Sequence, residues 1–356
     1  MSSKPDPKAV KEGLVVGVGN PLLDITANVE DEFLKKYGLY AKGQIMATEK
    51  HKDLTKDMIK KYKVKYTAGG SVQNSLRVMQ WFYEKTPLVA TYMGCVGEDD
   101  FRKQMEAKAK EDRINVLYMV DKKEPTGTCA CLITDNGKKR SLCAYLGASL
   151  RFNAKHINEN IKVVEKSKYC FSSGYHLAVS SESVLLLGKH CDSHSDKVFV
   201  FALSASFVCT KYTKQLQQIY PYVDYLFANE SEAVELAEAM GWSVHEIRDI
   251  AKFMADKDVN KTTKKRKRTV IVTQGTGPVI VAVTQTPEVK EFETLKIPSE
   301  KVVDTTGAGD AFVGGFLAQL IQKQPIDVCV RSGVYAATEI IQQSGCNFPK
   351  QNTFKV

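Results

Sequence analysis

The chain has 356 residues, 43% hydrophobic and 26% charged. That is ordinary globular composition, so disordered, collagen-like and coiled-coil classes are excluded and one large domain or two modest ones are expected. Basic residues exceed acidic ones by nine, but residues 264–268 (Lys-Lys-Arg-Lys-Arg) and the lysine-rich stretch 49–66 hold the whole excess. Two basic patches on a neutral protein do not make a uniformly basic nucleic-acid binder.

From Met1 to Gly13 the chain is polar, with no apolar stretch of signal-peptide length. The longest apolar run, around Val198–Cys209, is interrupted by Ser204 and Ser206 and falls short of the ~20 residues that a membrane span needs. A soluble, cytoplasmic monomer is expected, without membrane or nucleic-acid partners. Nine cysteines without a C-x-x-C pair are expected to be reduced, mostly buried thiols. Cys129 and Cys131 share one face of a strand-like stretch, but nothing nearby in sequence supplies a second pair of metal ligands.

Strands are expected at Leu14–Gly19, Val89–Val96, Cys129–Thr134, Leu142–Leu146, Tyr169–Ser172, Val198–Leu203, Val223–Ala228, Thr269–Thr273 and Val279–Val283. Helices are expected at Ser71–Tyr83, Phe101–Glu111, Ser181–Cys191, Glu230–Met240, Val244–Ala255 and Asp310–Gln322. Fully apolar strands alternating with amphipathic helices predict an α/β fold, a mostly parallel sheet covered on both faces. Two segments break the rhythm with short, half-polar strands, and the second carries Asp135-Asn136-Gly137, a hairpin turn. A discontinuous small domain (24–67 and 116–147) is therefore expected over a large one (1–23, 68–115 and 148–356).

The first strand runs into Gly17-Val18-Gly19-Asn20-Pro21-Leu22-Leu23-Asp24. Leu22 stands where a dinucleotide fingerprint needs its third glycine. Asn20 and Asp24 are then delivered to the carboxyl edge of a sheet, where α/β ligands bind; a tight turn with a helix-capping Asp is the other reading. Ala68-Gly69-Gly70-Ser71-Val72-Gln73-Asn74 leads into a helix, with glycines that admit a ligand close to the backbone. Asn229 and Glu232 follow a strand and offer hard oxygen ligands that suit Mg²⁺ through water. Thr273-Gln274-Gly275-Thr276-Gly277 follows another strand and is placed to line a nucleotide. Both are also what a commonplace strand-end loop looks like.

The strongest signal is Asp304-Thr305-Thr306-Gly307-Ala308-Gly309-Asp310 before an apolar helix. Small residues at a helix start expose successive backbone N–H groups, an anion site. Asp310 in that first turn opposes a permanent anion, but it suits a base that takes a proton from a nucleophile attacking the anion. The Lys264–Arg268 run, without interleaved aromatics, reads as a solvated loop, with a nuclear-localisation signal as the other reading.

The 304–310 signature resembles that of the ribokinase family of PfkB-type carbohydrate and nucleoside kinases. Gly19–Asp24, Ala68–Asn74, Pro125-Thr-Gly-Thr-Cys-Ala130, Asn229–Ala233 and Gly345-Cys-Asn-Phe-Pro349 narrow the resemblance to members that phosphorylate adenosine. It runs in order from about residue 14 to 350. The resemblance implies a ribokinase-like fold, a large three-layer α/β/α domain with a small α/β lid. It implies transfer of the ATP γ-phosphate, with Mg²⁺, to the adenosine 5′-hydroxyl, giving AMP in purine salvage. Asp310 becomes the catalytic base, Gly307, Ala308 and Gly309 the anion hole, and Arg140 a lid residue at the transferred phosphate. Asn20, Asp24, Gly70, Ser71 and Asn74 hold the ribose, and Leu22 and Gly69 also bind the substrate. Gln44, Leu142 and Ala144 from the lid, with His176 and Phe207, neighbour the purine. Asn229 and Glu232 organise Mg²⁺, and Asn229, Thr273, Gln274, Gly275 and Gly277 line ATP. A sugar kinase of the same family is the alternative.

Overall fold

In the computed structural model, residues 10–41, 43–86, 88–135, 139–257 and 267–356 are described. The strands, in chain order, are β1 (Val15–Val18), β2 (Leu22–Asn28), β3 (Gln44–Met46), β4 (Lys65–Gly69), β5 (Ala90–Gly97), β6 (Asn115–Asp121), β7 (Thr128–Thr134), β8 (Lys139–Tyr145), β9 (Tyr169–Ser173), β10 (Val198–Ala202), β11 (Tyr225–Asn229), β12 (Thr269–Thr273), β13 (Val279–Val283) and β14 (Val289–Phe292).

Nine strands make the large sheet, in the order β14-β13-β12-β11-β10-β9-β1-β5-β6. β12 through β6 run parallel, and β13 and β14 close one edge antiparallel. The central strands are buried on both faces because helices cover both. The helices Ser71–Trp81, Ala308–Leu320 and Ile326–Ile340 pack on one side through Leu76, Phe316 and Val330. Helices Ser181–Asp192, Glu230–Ala239 and Ile247–Asp256 pack on the other through Leu187, Leu236 and Met254. Ile326–Ile340 is absent from the expected helices because Ser332 and Gly333 interrupt its apolar stripe. Those small residues let it press against its neighbour: a Cβ on Gly315 would lie 2.4 Å from the Ser332 carbonyl.

The second sheet has five strands, β3-β8-β7-β2-β4. One face of it packs Leu23, Ile25, Ala130, Leu132 and Cys143 over Phe33, Leu54 and Met58. The other turns toward the large sheet. Residues 116–121 do not join this second sheet as expected. β6 pairs with β5 and closes the large sheet, and only β7 and β8 come from that segment. As an edge strand β6 is half-buried along most of its length, so it has the mixed polarity of the small-sheet strands. The crossing also comes earlier than residue 24, since β2 already begins at Leu22. β7 and β8 pair as the hairpin requires, Thr134 opposite Lys139, while the tip 136–138 lies outside the described residues.

Candidate active site

The chain leaves β1 for β5 on one side and returns to β9 on the other. This reversal of strand order is where open α/β sheets bind ligands. Asn20 follows β1, and Gly174, Tyr175 and His176 follow β9. The Asn20 amide donates to the Tyr175 carbonyl (2.9 Å), and its Oδ1 meets His176 Nδ1 at 2.7 Å. His176, expected against the purine, is fully buried, and burial pushes its pKa down to about 3, so it is neutral. It lies under Asn20 and edge-on to Phe152, 5.0 Å between ring centroids. The exposed ring here is Tyr175, 41% accessible, and it faces Phe207, also 41% accessible, at 6.1 Å. Tyr175 was missed in the sequence, where its only mark is an aromatic next to a strand end.

The inner face of the small sheet follows strand parity. Leu22, Asp24 and Thr26 are half-buried, and the residues between them are buried. Asp24 pairs with Cys129 on one side and Thr67 on the other. Cys129 pairs with Ala144, and Cys131 with Leu142. Leu142 and Ala144 are half-buried and alternate with buried Ser141 and Cys143. Gln44 enters through its backbone, in register with Leu142. Gly69 is required here, since a Cβ would sit 2.6 Å from the Asp24 carboxylate. Gly70 is required too, with φ of 97° and a would-be Cβ 2.2 Å from the Asn20 carbonyl.

The helix Ala308–Leu320 starts at the mouth between the sheets, capped by Gly307 in the left-handed region (φ 80°). Its first-turn amides lack intrahelical partners. Of the expected anion-hole amides, that of Ala308 is instead taken by the Thr305 carbonyl (3.2 Å), so Gly307, Gly309 and Asp310 supply the open donors. Asp310 accepts from Ser71 Oγ (2.6 Å) and Asn74 Nδ2 (3.0 Å). Burial nevertheless pushes its pKa up to about 6. Burial lifts Asp24 to about 6 as well, with Arg140 and Arg77 pulling it down and Asp310 and Asp304 pushing it up. Two carboxyls, one on each side of the gap, are thus poised near neutrality.

Two arginines hold this arrangement. Arg140 on β8 forms an ion pair with Asp304, which also accepts the Thr306 amide (2.9 Å) and the Gly345 amide (2.8 Å). Arg140 therefore ties the small sheet to the loop before the helix Ala308–Leu320. Arg77 is nearly inaccessible within Ser71–Trp81, pairs with Asp112 (2.5 Å), and donates to the carbonyls of Ala68 and Cys346 (each 3.0 Å). Arg77 was not foreseen; a lone arginine in an apolar helix was the available signal.

The nucleotide-side candidates sit at the carboxyl ends of β11 and β12, where Asn229 and Thr273 are in register. Gln274, Gly275 and Gly277 form the β12–β13 turn, closed by the Gly277 amide on the Gln274 carbonyl (2.9 Å). Asn229 and Glu232 make a reciprocal helix cap. Asn229 Oδ1 accepts the Glu232 amide (2.8 Å), and the Glu232 carboxylate accepts the Asn229 amide (3.0 Å) and side-chain Nδ2 (2.8 Å). The cap uses the Asn229 Nδ2 and one lone pair of its Oδ1, and leaves a second lone pair on that oxygen. Glu232 keeps lone pairs, and burial, with Asp310 nearby, pushes its pKa up to about 7 against the hydrogen bond from Asn229.

A family model described as pfkB family carbohydrate kinase matches residues 32–353. Adenosine kinase 2 of Arabidopsis thaliana is 40% identical over 345 residues, 96% of this chain and 98% of that protein. The adenosine kinase of Schizosaccharomyces pombe is 37% identical, covering 94% and 96%. Among solved structures, Anopheles gambiae adenosine kinase in complex with P1,P4-di(adenosine-5) tetraphosphate superposes with a TM-score of 0.86 at 44% identity, covering 97% of this chain and 100% of that one. Schistosoma mansoni adenosine kinase in complex with 2-fluoroadenosine superposes with a TM-score of 0.85 at 32% identity, covering 96% and 98%.

Proposed function

The chain belongs to the pfkB family of carbohydrate kinases, and on that premise we propose that it phosphorylates the 5′-hydroxyl of adenosine with ATP, giving AMP and ADP. The fold is ribokinase-like. The observation that carries the chemistry is Asp310, a carboxylate near neutrality in the first turn of a helix, oriented by Ser71 and Asn74. A base with that pKa takes a hydroxyl proton readily at neutral pH. The open amides beside it stabilise charge on the transferred phosphoryl group.

Asp24 faces the site from the small sheet and accepts hydrogen bonds from the ribose hydroxyls. Asn20, buttressed by neutral His176, fixes the same sugar. Tyr175 and Phe207 offer the purine an apolar slot, with Leu142 and Ala144 opposite. Closure of the small sheet over the large one excludes water, which would otherwise compete as acceptor. Mg²⁺ accompanying ATP would neutralise charge on the polyphosphate, and of the residues present the Glu232 carboxylate would hold it through water. The product returns a free nucleoside to the nucleotide pool.

Asp310→Asn is expected to lower kcat by ~10²–10⁴ while isothermal titration still detects adenosine binding. Near-normal turnover in that variant would remove Asp310 as the base. ATP-dependent phosphate transfer to a panel of adenosine, inosine, guanosine and ribose tests the acceptor, and preference for ribose would favour a sugar kinase.

A further inference from the structure

Cys129 and Cys131 lack metal-ligand partners along the sequence, but the sheet supplies one. β2 and β7 run parallel with Asp24 opposite Cys129, and the carboxylate and both thiols come within 4.8 Å of one another. The two sulfurs are 4.0 Å apart. With Zn–S bonds of ~2.3 Å, a tetrahedral centre separates two thiolates by about 3.8 Å, so the pair already stands near the edge length of such a centre. Both cysteines are buried, which keeps the donors dry and fixed. Two thiolates and a carboxylate would carry three negative charges. A divalent ion leaves one, which is offset in part by the Arg140 guanidinium: it interacts with both Cys131 and Asp24 while it is paired with Asp304. Arg77 and Asp304 are the other charged groups acting on Asp24 together with Asp310.

We propose that Asp24, Cys129 and Cys131 form a binding site for a thiophilic divalent cation, Zn²⁺ or Cd²⁺, on the inner face of the small sheet. Three protein donors on two adjacent strands leave a fourth position open toward the large sheet, as in zinc sites that bind water. Binding displaces the thiol protons, so affinity rises with pH. The site takes Asp24 away from the nucleoside, so metal and adenosine exclude each other. That last clause rests on the proposed role of Asp24; the metal site itself does not.

The test is titration of the full-length protein with Cd²⁺ in a phosphine reductant, which keeps the thiols reduced, reading the ultraviolet charge-transfer band of cadmium thiolate. One saturable equivalent is expected, displaced by excess adenosine. Cys131→Ser is expected to weaken binding by more than the roughly 10–100-fold that losing an outer-shell partner costs. Its far-ultraviolet circular dichroism and cooperative melting should match wild type, which shows that it is folded. Cys129→Ser serves as the second variant, read by the same band. Absence of the band, or its persistence at full affinity in both variants, overturns the site. A band that depends on the cysteines but ignores adenosine overturns the exclusion of the nucleoside. Neither readout uses catalysis, so failure of the kinase assignment is seen separately, in the acceptor panel.

Discussion

Asp310 and Asp24 have pKa values raised from 3.8 to about 6, chiefly by burial. Both must be ionised to accept hydrogen bonds or a proton. The acid limb of kcat/KM for adenosine is therefore expected near pH 6, steeper than a single titration because two groups contribute. A limb near pH 4 would contradict the environments described. The same shift has a stability consequence. The folded state binds the Asp310 proton more tightly than the unfolded chain does, so its contribution is full below about 3.8 and lost as pH rises through about 6. Asn cannot ionise. The melting temperature of Asp310→Asn relative to wild type is expected to climb between about pH 4 and 7 and then level off; a difference that does not change over that window argues against a desolvated carboxyl.

At the scale of elements, the basic run 264–268 divides in two. Lys264 to Arg266 lie outside the described residues, and Lys267 is exposed. Arg268 is fully buried at the foot of β12, contrary to the expectation of a solvated loop. It donates to the carbonyls of Tyr220 (2.6 Å), Met254 (3.0 Å) and Lys257 (2.6 Å), and its guanidinium lies 4.1 Å from the Tyr220 ring centroid. It thereby satisfies the carbonyls at the end of the helix Ile247–Asp256, a capping role for a basic side chain. Arg268→Ala strands several buried acceptors at ~1–3 kcal/mol each and is expected to cost several kcal/mol in denaturant unfolding. Lys267→Ala is expected to stay within ~0.5 kcal/mol. Equal effects would mean that Arg268 is not the internal cap described. The Asn229–Glu232 pair is likewise a cap, and Asn229→Ala is expected to lose ~1 kcal/mol of stability.

On the scale of the whole molecule, the Arg140–Asp304 pair joins the small sheet to the loop before the helix Ala308–Leu320. Both side chains are largely buried, at 12% and 7% accessibility. Asp304→Ala takes away the ion-pair partner of Arg140 and leaves only Asp24 to offset its charge, a loss of up to ~3–5 kcal/mol for a buried pair. Amide exchange across β7 and β8 is expected to speed up, and kcat/KM for adenosine to fall at least tenfold while Asp310 remains in place. Unchanged exchange in that hairpin would mean that the pair does not hold the small sheet.

The alternation of apolar strands with amphipathic helices settled the covered parallel sheet, because burial on two faces writes itself into local hydrophobicity. The glycine-rich turns were legible for the same local reason: a left-handed residue or a close backbone approach admits few residue types. Local pattern also placed Asp310 at a helix start beside open amides. It did not place Tyr175 above His176, because two neighbouring aromatics carry no mark of which one faces inward. It did not separate β6 from the strands of the small sheet, since edge position depends on partners distant in sequence. Nor did it bring Asp24 to Cys129 and Cys131, Arg140 to Asp304, or Arg268 into the interior. Each of those contacts joins residues from separate strands or loops, and only the packing of the two sheets decides whether such charges and thiols meet water or one another.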